Sequence, residues 1–347
     1  MSYTYREILN QSSSWAQTIP LAQTWWSAVA DQVPITDDTI FLFIGSGSSH
    51  YLAQSAAHVF QEVTNHLSLA APPSEIFLSP ASTLPRSAPV VAFLISRSGE
   101  TSEMLLAADY LGQHAPNVLP VAVTCGSETA LAARARAALE LPHAREESVV
   151  MTQSFTAMLL ALQVIAGSIA QDENLLAQLT QLPELLTQHL TAFDRHARWL
   201  GEALQLDQFL FLGLGPSAGL AQEGALKLKE MTQVHAEAYS TLEVRHGPIS
   251  VVRENTAVIL LGGLREQLYL PALEADFKQY GATLVLVAPY TSAHADLVVS
   301  LPEGLSDVAR CILYLPTLQL FSYYRAVTLG LDPDHPRNLS QVVMLDA

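Results

Sequence analysis

The sequence predicts an α/β protein of two tandem domains, each built on a mostly parallel sheet flanked by helices. Short apolar runs alternate with helical patterns, the runs are apolar almost without interruption, and one strand–turn–helix pattern occurs twice. The runs are Thr39 to Ile44, Val90 to Ile95, Leu119 to Thr124, Phe209 to Leu212, Ala257 to Leu261, Thr283 to Val287 and Leu297 to Leu301. Continuous apolarity, rather than alternation, suits parallel strands covered on both faces. Helical patterns fall at His50 to Glu62, Thr101 to Gln113, Pro216 to Met231 and Leu264 to Tyr280, which gives the β/α alternation of a parallel sheet.

The repeat is the stronger signal. Ile40-Phe41-Leu42-Phe43-Ile44-Gly45-Ser46-Gly47-Ser48-Ser49 resembles Phe209-Leu210-Phe211-Leu212-Gly213-Leu214-Gly215-Pro216-Ser217-Ala218. In each half a further strand follows, at Val90 and at Ala257, so a duplicated α/β domain is the economical explanation. A chain of 347 residues, half of them hydrophobic, also fits two domains of about 150 residues each. Residues 1–38 read as a helical arm, 39–195 as the first domain with long connecting helices, and 196–347 as the second domain with a C-terminal tail. The connecting stretch from Thr152 to about Gly201 has Pro183 as its only strong breaker.

A formal charge of −16, with no clusters among 17 Lys and Arg, disfavours binding to a nucleic-acid backbone. An anionic small molecule is compatible with this charge provided that local donors hold it, because net charge is screened over about 8 Å at physiological salt. Cys125 and Cys311 have no partner at metal or disulfide-motif spacing, so a reducing compartment is expected and a metal is not. The N-terminus lacks a basic region followed by an apolar stretch, and Phe155 to Ala170, the most apolar stretch, is interrupted by Thr156, Gln163 and Ser168. It falls short of the roughly 20 residues of a membrane span and reads as a buried helix. A cytoplasmic protein without membrane partners is the expectation.

Two Gly/Ser-rich turns follow strands of the first domain. Gly45-Ser46-Gly47-Ser48-Ser49 and Ser96-Arg97-Ser98-Gly99-Glu100-Thr101 both place hydroxyls and backbone N–H groups at a helix start, where a phosphate binds well, and Arg97 adds a cation. The first turn alone is equally a common connector. Two such turns at the C-terminal edge of one parallel sheet lie where open α/β folds bind ligands. A nucleotide fits poorly, since His50 stands where the dinucleotide fingerprint needs a third Gly and no Gly-Lys-Ser/Thr follows a strand. A third polar run, Glu146 to Thr156, is either an ordinary helix start with Thr152 or Ser154 as cap or a lid over a sugar.

On the helix after the second repeat's turn, Glu223, Lys227 and Glu230 share a sector of about 60° beside an apolar side of Leu220, Gly224, Leu228 and Met231. Spacing alone favours a plain Glu–Lys pair, worth about 0.2–0.5 kcal/mol. The next segment, His235 to Pro248, is dense in proton-transferring groups and poor in helix or strand signature, as functional loops are. Moving a hydrogen between C1 and C2 of a sugar needs a carboxylate base, a cation near the enediolate and a group that opens the ring. Glu, Lys and His are apt types, with His246 assigned to function and His235 to structure.

Together, Ser96-Arg97-Ser98-Gly99-Glu100-Thr101, Glu223-Gly224-Ala225-Leu226-Lys227-Leu228-Lys229-Glu230, His235-Ala236-Glu237-Ala238-Tyr239, His246-Gly247-Pro248 and Asp334-His335-Pro336-Arg337-Asn338-Leu339 resemble the tandem sugar isomerase (SIS) domain family. They run in order along nearly the whole chain. The pattern is similar to stand-alone amino-sugar-phosphate deaminase/isomerases, including the galactosamine-6-phosphate type, and to the isomerase half of glucosamine-6-phosphate synthase. Tyr5-Arg6-Glu7-Ile8, Trp15 and Met151 to Thr156 resemble the stand-alone group.

The resemblance implies two three-layer αβα domains and an enzyme interconverting aldose or aldosamine and ketose 6-phosphates without a cofactor or metal. Ser48, Ser96, Ser98 and Thr101 would hold the phosphate, with Ser154 in the binding set and Arg97 where the synthase pattern has Gln. Glu230 would be the base, Lys227 its neighbour, and His246 the ring-opening group that reaches the adjoining subunit, which implies a homodimer with shared active sites. Where the synthase carries an imine-forming Lys, counting from Asn338 gives Gln341, so aminotransfer by that route is not expected. Nor is glutamine-dependent synthesis, for which the chain has no glutaminase segment. A deglycase acting on a 6-phosphorylated sugar–amine adduct and a non-catalytic phosphosugar sensor are the alternatives.

Overall fold

The computed structural model describes residues 2–345. They form two compact units, Asn10–Pro183 with the tail from Ser340, and the N-terminal residues to Leu9 with Glu184–Leu339.

The first unit opens with α2 (Gln11–Val29), which follows α1 (Tyr3–Leu9) of the other unit. Its strands are β1 (Ile40–Gly45), β2 (Ser68–Ala71), β3 (Val90–Ile95), β4 (Val118–Thr124) and β5 (Ala137–Glu140), and its helices continue with α3 (Ser48–Thr64), α4 (Pro73–Leu78), α5 (Pro80–Thr83), α6 (Ser102–His114) and α7 (Gln153–Ala170). The sheet is wholly parallel in the order β2-β1-β3-β4-β5, with Ile40 paired to Val90 and Gly45 to Ile95. Every residue of β3 is buried, as the continuous apolar run requires. Phe43 stacks on Phe93 at 5.2 Å while Phe60 of α3 meets both edge-on, and each buried aromatic contributes about 1.5–3 kcal/mol by its area.

Helix α7 is long and apolar enough by composition to cross a membrane, yet 83% of it is buried in the protein, under α2 and α3. Thr156 Oγ1 donates to Gln11 Oε1 at 2.8 Å and accepts from Trp15 Nε1 at 2.9 Å.

The second unit repeats the plan with β6 (Gln208–Gly213), β7 (Ala236–Ser240), β8 (Thr256–Leu261), β9 (Thr283–Ala288) and β10 (Leu297–Ser300), in the order β10-β9-β8-β6-β7 and all parallel. Counted within each unit, both sheets read 2-1-3-4-5. The two strand–turn–helix copies also share a backbone device. A Cβ on Gly45 or Gly213 would lie 2.3 Å from the carbonyl oxygen of Ser49 or Ser217, and Gly47 and Gly215 have φ of +55° and +59°, a conformation that glycine adopts without penalty.

Around this sheet lie α9 (Pro216–Thr232), α10 (Leu270–Gln279), α11 (Asp307–Arg310) and α12 (Tyr314–Thr328). Helix α12 packs on α9, close enough that a Cβ on Gly224 would meet Leu318 and Phe211 at 2.9 Å. Asp334 near the C-terminus caps α1, accepting from Ser2 Oγ, the Tyr3 and Thr4 amides and Thr4 Oγ1 at 2.6–2.9 Å.

The connecting stretch breaks elsewhere than at Pro183. α7 ends at Gln171, whose φ is +53°, and Asp172 accepts from the Leu175 amide at 2.9 Å to start α8 (Glu173–Glu202), which runs through Pro183. Helix α10 begins at Leu270 rather than Leu264, with Pro271 in its first turn, where the missing N–H is tolerated. The segment read as a loop after α9 contains β7.

Candidate active site

In the first unit the β1–α3 and β3–α6 turns face each other across the position where the strand order reverses, between β1 and β3. In open parallel sheets this is the position at which a crevice forms. A cavity of about 180 Å³ opens here, lined among others by Ser46, Gly47, Ser49, Ser96, Arg97, Ser98 and Thr101.

The hydroxyls are prepared for an anion. Ser96 Oγ accepts from the Gly99 amide and Ser98 Oγ from the Glu100 amide, both at 3.1 Å. An oxygen that accepts from the backbone leaves its own O–H to donate. Thr101 is the residue before α6 and has extended backbone angles, so the helix start also lies at this region, where the Ser102 amide donates to the Val343 carbonyl at 3.4 Å.

Of the residues singled out in sequence, Ser96, Arg97, Ser98 and Thr101 are brought together here. Ser48 starts α3 and is buried, and it is Ser46 and Ser49 that line the cavity. Ser48 and Ser49 are equally buried, and the Ser49 hydroxyl donates to Met151 Sδ at 3.9 Å. Ser154 is fully buried and its hydroxyl donates to Glu146.

Arg97 is a hub as well as a wall. Its two terminal nitrogens donate to Glu146 Oε2 at 3.3 Å, to the Ser148 and Val149 carbonyls at 3.4 and 3.0 Å, and to the Gln341 carbonyl at 3.0 Å. Gln341, in turn, donates its side-chain amide to the carbonyls of Glu147 and Ser148 at 2.9 and 3.1 Å. The tail is held further by the Leu345 amide on Ser102 Oγ at 3.1 Å. A second cavity of about 330 Å³ shares Arg97, Ser98 and Gln341 with the first and includes Cys125 and Arg145. Burial, reinforced by Glu146 and opposed by Arg97, pushes the Cys125 thiol far up, so it remains protonated and is a poor nucleophile.

In the second unit, α9 presents Glu223, Lys227 and Glu230 in one row. Lys227 Nζ lies 3.4 Å from Glu223 Oε1 and also contacts Glu230 Oε2; the Glu223 and Lys227 side chains are 0% and 1% exposed, and that of Glu230 is 17% exposed. The pair that spacing alone would assign to a solvated surface is therefore interior, and Glu230 is its one member open to solvent. His246 is exposed, just after the short turn Glu243–Arg245, and Gly247 beside it has φ of +130°. His235 is exposed too, immediately before β7.

In this unit the turn after β8 does not leave its amides open for an anion. After β8, Glu266 Oε1 accepts from the Gly263 amide at 2.8 Å and Asp307 from the Leu264 amide at 3.1 Å, so the protein's own carboxylates occupy the donors. Burial pushes the Glu266 carboxyl up, against the Gly263 hydrogen bond. Among the described residues no group of three or more His, Cys, Asp and Glu side chains is placed to hold a metal.

Comparison with known proteins matches the SIS domain model to residues 36–167 and again to 205–324. The chain belongs to the SIS domain family. Each SIS match contains one of the two parallel sheets. Among curated relatives, glutamine–fructose-6-phosphate aminotransferase (isomerizing) of Thermococcus kodakarensis is 30% identical over 335 residues, 92% of this chain and 54% of that protein. The Rhizobium leguminosarum protein of the same name is 34% identical over 280 residues, 76% of this chain and 45% of that protein. This SIS chain thus spans about half the length of the curated relatives it matches. Among solved structures, the Thermotoga maritima glucosamine-6-phosphate deaminase superposes with a TM-score of 0.79 at 30% identity, covering 99% of this chain and 100% of that one. The Escherichia coli tagatose-6-phosphate ketose/aldose isomerase shares the fold, with a TM-score of 0.87 at 22% identity over 100% and 96% of the two chains.

Proposed function

We propose that this protein is an enzyme that moves a hydrogen between C1 and C2 of an aldose or aldosamine 6-phosphate, releasing ammonia when the substrate carries a 2-amino group. The observation that carries the reading is the buried row on α9, in which Lys227 joins two carboxylates and only Glu230 is open to solvent. Such a row supplies a carboxylate base beside a fixed cation, the pairing that enolisation needs.

Glu230 takes the C2 proton of the open-chain sugar and returns it at C1, while Lys227 supplies positive charge beside the developing enediolate. With an aldosamine, the enaminol that forms is reprotonated at C1 to an imine at C2, and water hydrolyses this to the ketose 6-phosphate and ammonia. The phosphate is assigned to the hydroxyls and amides of Ser46, Ser49, Ser96, Ser98 and Thr101, and His246 to ring opening. The exposure of His246 supports its serving a neighbouring copy in a homodimer, and the reading places the enzyme in the cytoplasm. The solved glucosamine-6-phosphate deaminase, alike along its whole length, supports the deaminase form.

A deglycase acting on a 6-phosphorylated sugar–amine adduct is the second reading, favoured by the 330 Å³ cavity that adjoins the first and offers room for a substituent on the amine. Ammonia and ketose formation, assayed over a panel of hexosamine 6-phosphates and sugar–amine adducts, separates the two. Turnover of the free hexosamine phosphates is expected. Binding without turnover of any member would sink both readings in favour of a sensor.

A further inference from the structure

We infer that Glu146 is a positioning residue for the phosphate site, acting through Arg97. The inference rests on the proposed phosphate-binding role of the first cavity and adds a residue that is not among those lining that cavity.

The Glu146 side chain is fully buried. Its carboxylate accepts from the Thr152 amide at 2.6 Å, Thr152 Oγ1 at 2.8 Å, the Ser154 amide at 3.2 Å, Ser154 Oγ and Arg97 at 3.3 Å. Capping α7 needs only the helix-start donors, which an uncharged Ser or Asn cap satisfies as well. A buried carboxylate is needed only if a buried cation must be held, and Arg97, with its side chain 12% exposed, is that cation. It sits in the β3–α6 turn between Ser96 and Ser98, both of which line the cavity. Its two terminal nitrogens also donate to the Ser148, Val149 and Gln341 carbonyls. Glu146 thereby fixes a guanidinium that ties the phosphate turn to the 146–149 segment and to the tail. Planar, multidentate geometry of this kind is what Arg offers and a point charge does not.

The sign of one effect separates positioning from simple electrostatics. A carboxylate near a phosphate repels it, so if Glu146 acted only through its charge, neutralising it would tighten phosphate binding. If Glu146 positions Arg97 and the turn, neutralising it weakens binding. The test uses the full chain as Glu146→Gln, with inorganic phosphate affinity measured by calorimetry and KM and kcat measured on any hexosamine 6-phosphate the wild type turns over. Trp15→Phe, which deletes the buried hydrogen bond to Thr156 on the same helix, is the control for general loss of stability. Phosphate affinity is expected to fall about tenfold or more in Glu146→Gln, with KM rising in step and kcat within about threefold, the pattern of lost uniform binding. Trp15→Phe is expected to lower Tm and leave affinity unchanged. Should Glu146→Gln not fold, Glu146→Asp carries the same test, because it keeps the charge and withdraws it from Arg97. Unchanged or tighter phosphate binding in the variant overturns the inference. Absence of phosphate and sugar-phosphate binding in the wild type would instead overturn the proposed function.

Discussion

Replacing Lys227 by Met leaves Glu223 and Glu230 without the ammonium they share. Met nearly conserves the volume, so little cavity is created and the effect isolates charge. Were the pair exposed, its loss would cost about 0.2–0.5 kcal/mol. Glu223 and Lys227 are, however, 0% and 1% exposed, and removing one partner of a buried pair typically costs about 3–5 kcal/mol because the other charge remains uncompensated. On a unit of this size that corresponds to a fall in Tm of about 6 to 20 °C. Calorimetry on the full chain resolves the transition that moves, and urea titration followed by circular dichroism gives the free energy. The double variant Glu223→Gln/Lys227→Met removes the stranded buried charge and is expected to recover most of the loss. A single-variant loss below about 1 kcal/mol, or a double variant no better than the single, refutes the reasoning that the row on α9 is a buried charge network.

Ser49→Ala is expected to raise KM for a sugar phosphate about tenfold or more, the weight of one hydrogen bond to a charged group, while Ser48→Ala changes it little; the reverse order would return the role to Ser48. At Asp334, burial raises the carboxyl pKa but the hydrogen bonds from Ser2, Thr4 and Tyr3 outweigh it and leave it lowered. The stability it contributes is present above the ordinary carboxylate pKa and lost as pH falls through the depressed folded value. Asp334→Asn, which loses the charge-assisted part of these bonds, should therefore destabilise at neutral pH, with the difference from wild type vanishing in acid, as a series of melts would record. Glu266 has the opposite sign. Its folded pKa is raised chiefly by burial, so its contribution is full below the unfolded pKa and lost as pH rises through the folded one. Glu266→Gln is expected to raise Tm at pH 8 and leave it nearly unchanged at pH 4, and a lower Tm at pH 8 would contradict the assignment.

The central strands were legible because burial on both faces leaves an uninterrupted apolar run, as in β1, β3, β6 and β8. The edge strands β2, β5 and β7 were not. Each is four or five residues long and half exposed, and Ala236-Glu237-Ala238-Tyr239-Ser240 resembles a polar loop until its pairing with β6 is seen. The connecting helices were found, but their break was misplaced. A proline is an obvious disruptor in sequence, whereas the cap at Asp172 depends on a hydrogen bond to an amide three residues on. In the site, the residue types and turns were readable, and the spacing of the Gly45–Ser49 turn does not by itself say which serines line the cavity, where Ser46 and Ser49 lie. Arg97 was read as a cation for phosphate, and its four protein partners come from segments about 50 and 240 residues away in sequence, beyond any local pattern. Burial of the Glu223–Lys227 pair was equally invisible to helical spacing, which places residues on a face without saying what covers it.

The proposed chemistry is tested most directly by proton exchange at the sugar carbons. Wild type and Glu230→Gln would be incubated with a hexosamine 6-phosphate in D2O, with deuterium at C1 and C2 followed by NMR and ammonia release assayed in parallel. Deuterium incorporation accompanying ammonia release is expected in the wild type. In Glu230→Gln both should be lost by about 10²- to 10⁴-fold, with inorganic phosphate binding retained. Exchange at the wild-type rate in Glu230→Gln would contradict the assignment of the base.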